Sequence, residues 1–166
     1  MKVRIPELFS KHAVRIDHIA VAVRDLEASL AWCTKLLGLE LIERRRTEGA
    51  QTAMLSAVLK LGPVTLVLTQ GTSSESQVSR YLAHYGPGVT HVAIEVTDVP
   101  SVVEELQAAG IQFATEIIRG DGICQAFTRR DEGTGMMFEL IERSGGGFSD
   151  ESVNTLFRTL EESGDF

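Results

Sequence analysis

Two histidines and one glutamate are the residues whose types and positions could support chemistry. His18 lies in IDHIAVAVRDL (residues 16–26) and His91 in VTHVAIEVTDV (residues 89–99), and these two segments align without a gap. Glu139 lies among apolar residues in GMMFELIER (residues 135–143). Burying a carboxylate there is unfavourable unless a positive charge compensates it. Because imidazole and carboxylate groups are typical ligands of divalent metals, the three residues form a candidate metal site.

The ligand types suit iron(II), cobalt, manganese, nickel or zinc, and they do not select among these metals. Two imidazoles and one carboxylate on one face leave coordination positions open for a substrate and for oxygen. A buried histidine can instead have a purely structural role. The duplicated positions of His18 and His91 weigh against that alternative.

The repeat that holds the two histidines also predicts the elements that must position them. Each copy is followed by apolar residues at helical spacing, which end at Gly38 in the first copy and Gly110 in the second. Three segments with strand-like composition come next in each copy: LELIERR, AMLSAVLKL and PVTLVLTQ, then IQFATEII, GICQAFTRR and GMMFELIER. The sequence therefore predicts an α+β fold of two βαβββ modules.

The chain of 166 residues is predicted to form a single domain. We place module one at 14–70, a Ser/Gly-rich linker with a short helix at 71–87, module two at 88–143, and a C-terminal helix at 149–164. The last helix is predicted to pack across an opening, since its apolar residues recur at helical spacing: Val153, Leu156, Phe157 and Leu160.

Composition excludes several classes of function. The formal net charge of −7 argues against a nucleic-acid partner, because phosphate binding relies on clustered Lys and Arg. No apolar run is long enough to span a membrane, and the first residues do not resemble a signal peptide, so a cytoplasmic location is expected. Cys33 and Cys124 are far apart in the sequence and predict neither a disulfide nor a zinc knuckle. An exposed sheet edge favours a homodimer.

These segments resemble the vicinal oxygen chelate superfamily, in which paired βαβββ modules form a barrel-like cup around one metal. IDHIAVAVRDLE followed by LGLELIER is shared widely in the superfamily and indicates only the fold. More specific are SQVSRYLAHYGPGVTHVAIEV, GICQAFTRR and MFELIERSGGGFSDESVNTLFRTLEE, which are similar to the C-terminal catalytic half of 4-hydroxyphenylpyruvate dioxygenase. The resemblance implies iron(II) as the metal, with His18, His91 and Glu139 as its ligands.

The resemblance also implies a binding site for a 2-oxo acid. The family's glutamines and phenylalanines around an aromatic keto acid match Gln77, Gln125, Phe127 and Phe148. Other matching positions differ from the family and predict an altered pocket, without an aromatic wall and several amide groups. Thr90 replaces a glutamine, Thr69 an asparagine, and Ser152 and Val153 an asparagine and a phenylalanine. Thr52 completes the predicted substrate-binding set.

Three functions are open on the sequence alone. The first is an iron(II)-dependent dioxygenase acting on a 2-oxo acid. The second is a metal-dependent epimerase or isomerase of the methylmalonyl-CoA epimerase or glyoxalase type, in which Glu48 in RTEGAQTAML would be the base. Those families generally use a fourth protein ligand in the last strand of module one, where this chain is apolar near Leu66. The third is a ligand-sequestering resistance protein, against which the complete ligand set counts.

Overall fold

The computed structural model describes residues 7–120, 122–145 and 150–164, apart from the side chains of Leu8 and of residues 150–152. Within these ranges the chain forms one curled, eight-stranded sheet with helices packed on it. The first half comprises α1 (Glu7–His12), β1 (Ala13–Ala22), α2 (Leu26–Ala31) continuing into a π-helical turn (Trp32–Leu36), β2 (Glu40–Glu48), β3 (Ala53–Leu61) and β4 (Val64–Gly71).

The second half repeats this order after a connecting helix. It comprises α3 (Gln77–Tyr85), β5 (Gly88–Val96), α4 (Val99–Ala108), β6 (Ile118–Gly120), β7 (Ile123–Phe127), β8 (Phe138–Arg143) and α5 (Asp150–Ser163). The strand order across the sheet is β2-β3-β4-β1-β5-β8-β7-β6. The two central strands, β1 and β5, are antiparallel to each other, and each pairs in parallel with the last strand of its own module. The predicted α+β fold of two βαβββ modules with a C-terminal helix is confirmed.

Equivalent residues of the repeat begin and end the two module helices. The carboxylate of Asp25 accepts a hydrogen bond from the Ala28 amide at the start of α2, and Asp98 accepts one from Ser101 at the start of α4. Gly38 follows the π-helical turn and adopts a φ of 71°, in the left-handed region that terminates helices. The repeat thus specifies each helix locally, so both helices return the chain to the sheet in the same way.

The two faces of the sheet have different roles. On the outer face, α2 packs on a core cluster that includes Leu30, Leu59 and Leu68. The helix α4 packs in the same way on a second cluster that includes Val96 and Leu140. The inner face carries the candidate ligands and is partly covered by α3 and α5. None of the helices in the described ranges is long and apolar enough to cross a membrane.

One predicted strand is largely wrong. The segment IQFATEII (111–118) forms strand only at its end, in β6, together with a single bridge between Phe113 and Thr128. The hydroxyl of Thr115 accepts the hydrogen bond of the Phe127 amide, so a side chain replaces the backbone carbonyl that a regular ladder would use. The short helix α1 was not predicted. Both cysteines are buried free thiols.

Candidate metal centre

The strand register brings the three candidate ligands together. In the pairing of β1 with β5, His18 lies opposite Ala93 and Ala20 lies opposite His91. Ala93 in turn pairs with Glu139 on β8. Because the buried alanines carry only a methyl group, space remains between the larger side chains on the inner face. The sheet therefore places two imidazoles and one carboxylate at the same point of the cup.

The ligand atoms form a compact triangle. Nε2 of His18 lies 3.3 Å from Nε2 of His91 and 3.1 Å from Oε2 of Glu139. Nε2 of His91 lies 3.4 Å from the same carboxylate oxygen. Metal–ligand bonds of about 2.0–2.2 Å at octahedral or tetrahedral angles place neighbouring ligand atoms roughly 3.0–3.5 Å apart. The triangle therefore has the dimensions of a site for one divalent ion.

The second oxygen of Glu139 gives an independent test of that fit. Oε1 is fully buried and has no hydrogen-bond partner among the described residues. A buried carboxylate oxygen without a donor is strongly unfavourable unless a positive charge lies close to it. The residues present thus fit a divalent metal held by His18, His91 and Glu139.

The three groups carry different charges in the metal-free protein. Burial alone would raise the pKa of Glu139, but the charge of His18 and hydrogen bonds from both histidines lower it to about 2. Burial likewise disfavours a charged His18, yet Glu139 and Asp17 outweigh it and raise the pKa of His18 to about 9. Burial lowers the pKa of His91, only partly opposed by Glu139. At neutral pH His18 is therefore a cation, His91 is neutral, and Glu139 is an anion.

A cavity opens beside His91 on the inner face. It encloses about 640 Å³ of empty space, part of which is open solvent. Five predicted substrate-binding residues line it: Thr69, Gln77, Thr90, Phe127 and Val153. The ring of Phe127 stands edge-on to His91, with centroids 5.2 Å apart. The C-terminal helix α5 closes one side, as predicted, through Val153, Leu156, Phe157 and Leu160.

The other predicted site residues lie elsewhere. Gln125 is buried on β7, and its Oε1 has no hydrogen-bond partner among the described residues, but it does not line the cavity. Thr52 hydrogen-bonds to the carboxylate of Glu161 on α5. Glu48 is exposed and paired with Arg46, away from the cavity lining. Phe148 lies outside the described residues, and Ser152 lies in α5 with its side chain not described.

The strand register also moves the position expected for a fourth ligand by one residue, from Leu66 to Val67. Ala20, the repeat equivalent of Ala93, pairs with Val67, whereas Ala93 pairs with Glu139. Val67 therefore occupies in module one the place that Glu139 occupies in module two. Leu66 packs on the outer face against the α2 cluster. Both positions are apolar, so β4 supplies no carboxylate or amide ligand at this point.

Two residues around the site, Arg130 and Asp17, were not predicted from the sequence. Arg130 lines the cavity with its guanidinium over the rings of Tyr81 and Tyr85, 4.9 and 5.4 Å from their centroids. Asp17 accepts a hydrogen bond from Nδ1 of His18 at 2.8 Å. In the sequence, Arg130 appears only as a charged residue at the end of a strand. The loop after β7 places it against α3. Asp17 had one signal, which is its position directly before a candidate ligand.

Two βαβββ modules in one curled sheet, with a cluster of two histidines and one glutamate on its inner face, define the vicinal oxygen chelate class of proteins. The chain belongs to the Glyoxalase/Bleomycin resistance protein/Dioxygenase superfamily, whose family model matches residues 17–127. The family predicted from the sequence is confirmed. Members of this superfamily are mostly metal-dependent enzymes and generally bind a divalent metal.

Curated relatives in this family have different reactions in their names. The chain is 30% identical over 131 residues to a lactoylglutathione lyase of Arabidopsis thaliana, covering 78% of this chain and 44% of the relative. It is 29% identical over 150 residues to 4-hydroxyphenylpyruvate dioxygenase of Coccidioides posadasii, covering 80% of this chain and 37% of the relative. The chain thus spans less than half the length of these two relatives.

Solved structures with a similar fold also belong to enzymes with different reactions in their names. A variant of 4-hydroxymandelate synthase from Streptomyces coelicolor superposes with a TM-score of 0.81 at 21% identity, over 93% of this chain and 55% of the other, and so shows the fold alone. A methylmalonyl-CoA epimerase from the same organism superposes with a TM-score of 0.69 at 26% identity, over 80% of this chain and 99% of the other. The comparisons establish the family without selecting a reaction.

Proposed function

We propose that the chain is the catalytic part of a non-haem iron(II)-dependent dioxygenase that acts on a 2-oxo acid. The observation that carries the proposal is the three-ligand triangle of His18, His91 and Glu139, with apolar Val67 at the place of a fourth protein ligand. Two histidines and one carboxylate with open positions are the typical ligand set of non-haem iron(II) oxygenases. Cobalt, manganese, nickel and zinc remain compatible with the same donors.

Iron(II), when bound, supplies the redox and oxygen chemistry. The residues of the chain bind the substrate, orient it and exclude water. The Thr69 and Thr90 hydroxyls donate to backbone carbonyls at 3.2 Å, so toward the cavity their oxygens can accept a hydrogen bond from a donor on the substrate's side chain but not from its 2-oxo acid group. Gln77 adds an amide at the start of α3, and the apolar residues of α5 shield the opening.

The charge distribution of the cavity supports an anionic substrate and chemistry without a protein base. Among the described residues that line the cavity, none is an aspartate or a glutamate. The lining includes Arg130, whose positive charge favours a carboxylate-bearing ligand such as a 2-oxo acid. Proton transfer by a carboxylate, as an epimerase would require, has no candidate among these lining residues.

An epimerase or isomerase is the second candidate, because the methylmalonyl-CoA epimerase of known structure matches over nearly its whole length. In that case Glu48 would have to move to the cavity to act as the base, since it is exposed and paired with Arg46 here. A ligand-sequestering protein is the third candidate, and it would not require the ligand triangle.

The test is oxygen consumption by protein loaded with iron(II) under anaerobic conditions and then supplied with aryl- and alkyl-substituted pyruvates. We expect equal amounts of oxygen consumed and carbon dioxide released with at least one substrate, and no turnover by His91→Ala. Absence of turnover across the panel, together with Glu48-dependent deuterium exchange into an acyl-CoA, would establish the epimerase instead. Failure to bind metal stoichiometrically, unchanged by His91→Ala, would leave the sequestering protein.

A further inference from the structure

Asp17 is a buried carboxylate in direct contact with a candidate metal ligand. Its side chain is 3% exposed, and Oδ2 accepts a hydrogen bond from Nδ1 of His18 at 2.8 Å. Because Nδ1 of His18 is engaged in this way, Nε2 is the ring nitrogen that faces His91 and Glu139. The contact therefore determines which nitrogen of His18 is available to a metal.

Arg143 holds the same carboxylate from the other side. Its Nε donates to Oδ1 and its Nη2 to Oδ2 of Asp17, both at 2.8 Å, which is the bidentate geometry that orients a carboxylate most strongly. Arg143 ends β8, the strand of Glu139, whereas Asp17 lies in β1, and β5 separates these strands in the sheet. The ion pair thus spans β5 and connects the strands of two candidate ligands.

Irregularities in the pairing of β1 with β5 explain how a residue adjacent to His18 can reach it. Neighbouring residues in a regular strand point to opposite faces. The register shifts between Ile16 and His18, so Asp17 is an extra residue in β1, and an extra residue can redirect a side chain. A second shift makes Thr90 the extra residue of β5, directly before His91. Its hydroxyl lies 3.4 Å from Nδ1 of His91 and forms a much weaker contact.

We propose that Asp17 is a positioning residue of the metal site, which holds the Nδ1–H of His18 and directs Nε2 to the ion, and that Arg143 acts through Asp17. A carboxylate on the distal nitrogen of a metal-bound histidine fixes the ring and makes it a stronger donor. The inference rests on the metal site of the proposed function. It makes His18 and His91 unequal ligands, because Nδ1 of His18 contacts a carboxylate, whereas Nδ1 of His91 lies 3.4 Å from the Thr90 hydroxyl.

The test is the affinity for Zn(II), measured by chelator competition with the full chain at about pH 9, so that weaker proton competition for His18 in the variant does not offset the loss. We expect Asp17→Asn to weaken binding by about 10- to 100-fold, the usual effect of removing such a partner. Arg143→Gln should weaken it less. The double variant should bind nearly as Asp17→Asn alone does, because the side-chain hydrogen bonds of Arg143 described above both go to Asp17. The matched control is Arg15→Gln, which removes the more exposed 3.2 Å contact to Asp17 and should change affinity less than about twofold.

A second readout reports on the ring itself. In ¹⁵N–¹H spectra of the zinc-loaded protein, the Nδ1–H of His18 should be protected from solvent exchange in the wild type and exchange rapidly in Asp17→Asn. Wild-type affinity together with an unchanged Nδ1–H signal in Asp17→Asn would overturn the inference. Additive effects in the double variant would overturn the part that concerns Arg143. Failure of the wild type to bind Zn(II) would refute the metal site of the proposed function.

If Asp17→Asn does not fold, Arg143→Lys is measured in its place. This variant keeps the positive charge and removes the two parallel hydrogen bonds. We expect weaker Zn(II) binding and faster exchange of the Nδ1–H. Wild-type values of both quantities would overturn the inference.

Discussion

Metal binding should depend steeply on pH, because the metal must replace a proton on His18. The pKa of His18 is raised to about 9 by Glu139 and Asp17 against the effect of burial. A metal binds only the neutral imidazole, so each pH unit below 9 weakens the apparent affinity about tenfold. At pH 7 roughly 1% of the metal-free protein has a neutral His18, so the affinity is about 100-fold below its plateau.

The other two ligands contribute little to this dependence. Glu139, with a pKa of about 2, stays ionised above pH 4. The pKa of His91 is lowered by burial, so His91 is already neutral at pH 7. The slope should therefore correspond to one proton. The affinity should rise with pH toward a plateau above pH 9, and binding at pH 7 should release one proton for each ion.

The assay is calorimetric titration with Zn(II) at pH 6 to 9, in pairs of buffers that differ in ionisation enthalpy. The number of protons released follows from the difference between the paired buffers. Asp17→Asn is the informative comparison, because loss of that carboxylate should lower the pKa of His18 and move the plateau to lower pH. An affinity that is constant from pH 7 to 9, with no proton released at pH 7, would refute the charge state derived for His18.

Three further predictions concern the cavity. Arg130→Gln should raise KM for 2-oxo acids by about tenfold or more in steady-state kinetics, because it removes the positive charge that lines the cavity. The control Arg129→Gln, at the exposed neighbouring residue, should leave KM unchanged. Phe157→Ala should lower the free energy of unfolding by about 3–5 kcal/mol in urea denaturation, because Phe157 is 3% exposed and its loss would leave a cavity. Phe157→Leu should lower it by less, and equal losses in the two variants would contradict this packing role. Val67→Glu should add a fourth ligand, tighten Zn(II) binding and abolish oxygen consumption, and unchanged affinity would place Val67 away from the ion.

The candidate ligands could be identified in the sequence because their signal is local. His18 and His91 occupy equivalent positions of a gap-free repeat, and Glu139 interrupts an apolar strand. The helix limits were equally local, since an aspartate begins and a glycine follows each module helix. Such features depend only on neighbours within a few residues, which are visible without the fold.

The surroundings of the ligands could not be predicted, because they depend on register and on long connections. The contact of Asp17 with Arg143 joins residues separated by 126 positions across an intervening strand, and it requires an irregular pairing of β1 with β5. Arg130 reaches the cavity only through the loop after β7. The irregular segment before β6 depends on the Thr115 hydroxyl, which competes with backbone pairing and leaves no pattern in the apolar residues.

The symmetry of the fold and the asymmetry of the site have one explanation in the strand register. Each module contributes a histidine from its first strand, so duplication accounts for both imidazoles. Only module two contributes a carboxylate from its last strand, because Glu139 and Val67 occupy equivalent places. The extra residue before each histidine differs in the opposite sense, being the charged Asp17 in module one and the uncharged Thr90 in module two. Module one therefore supplies a charged partner for its own histidine, and module two supplies the charged candidate ligand.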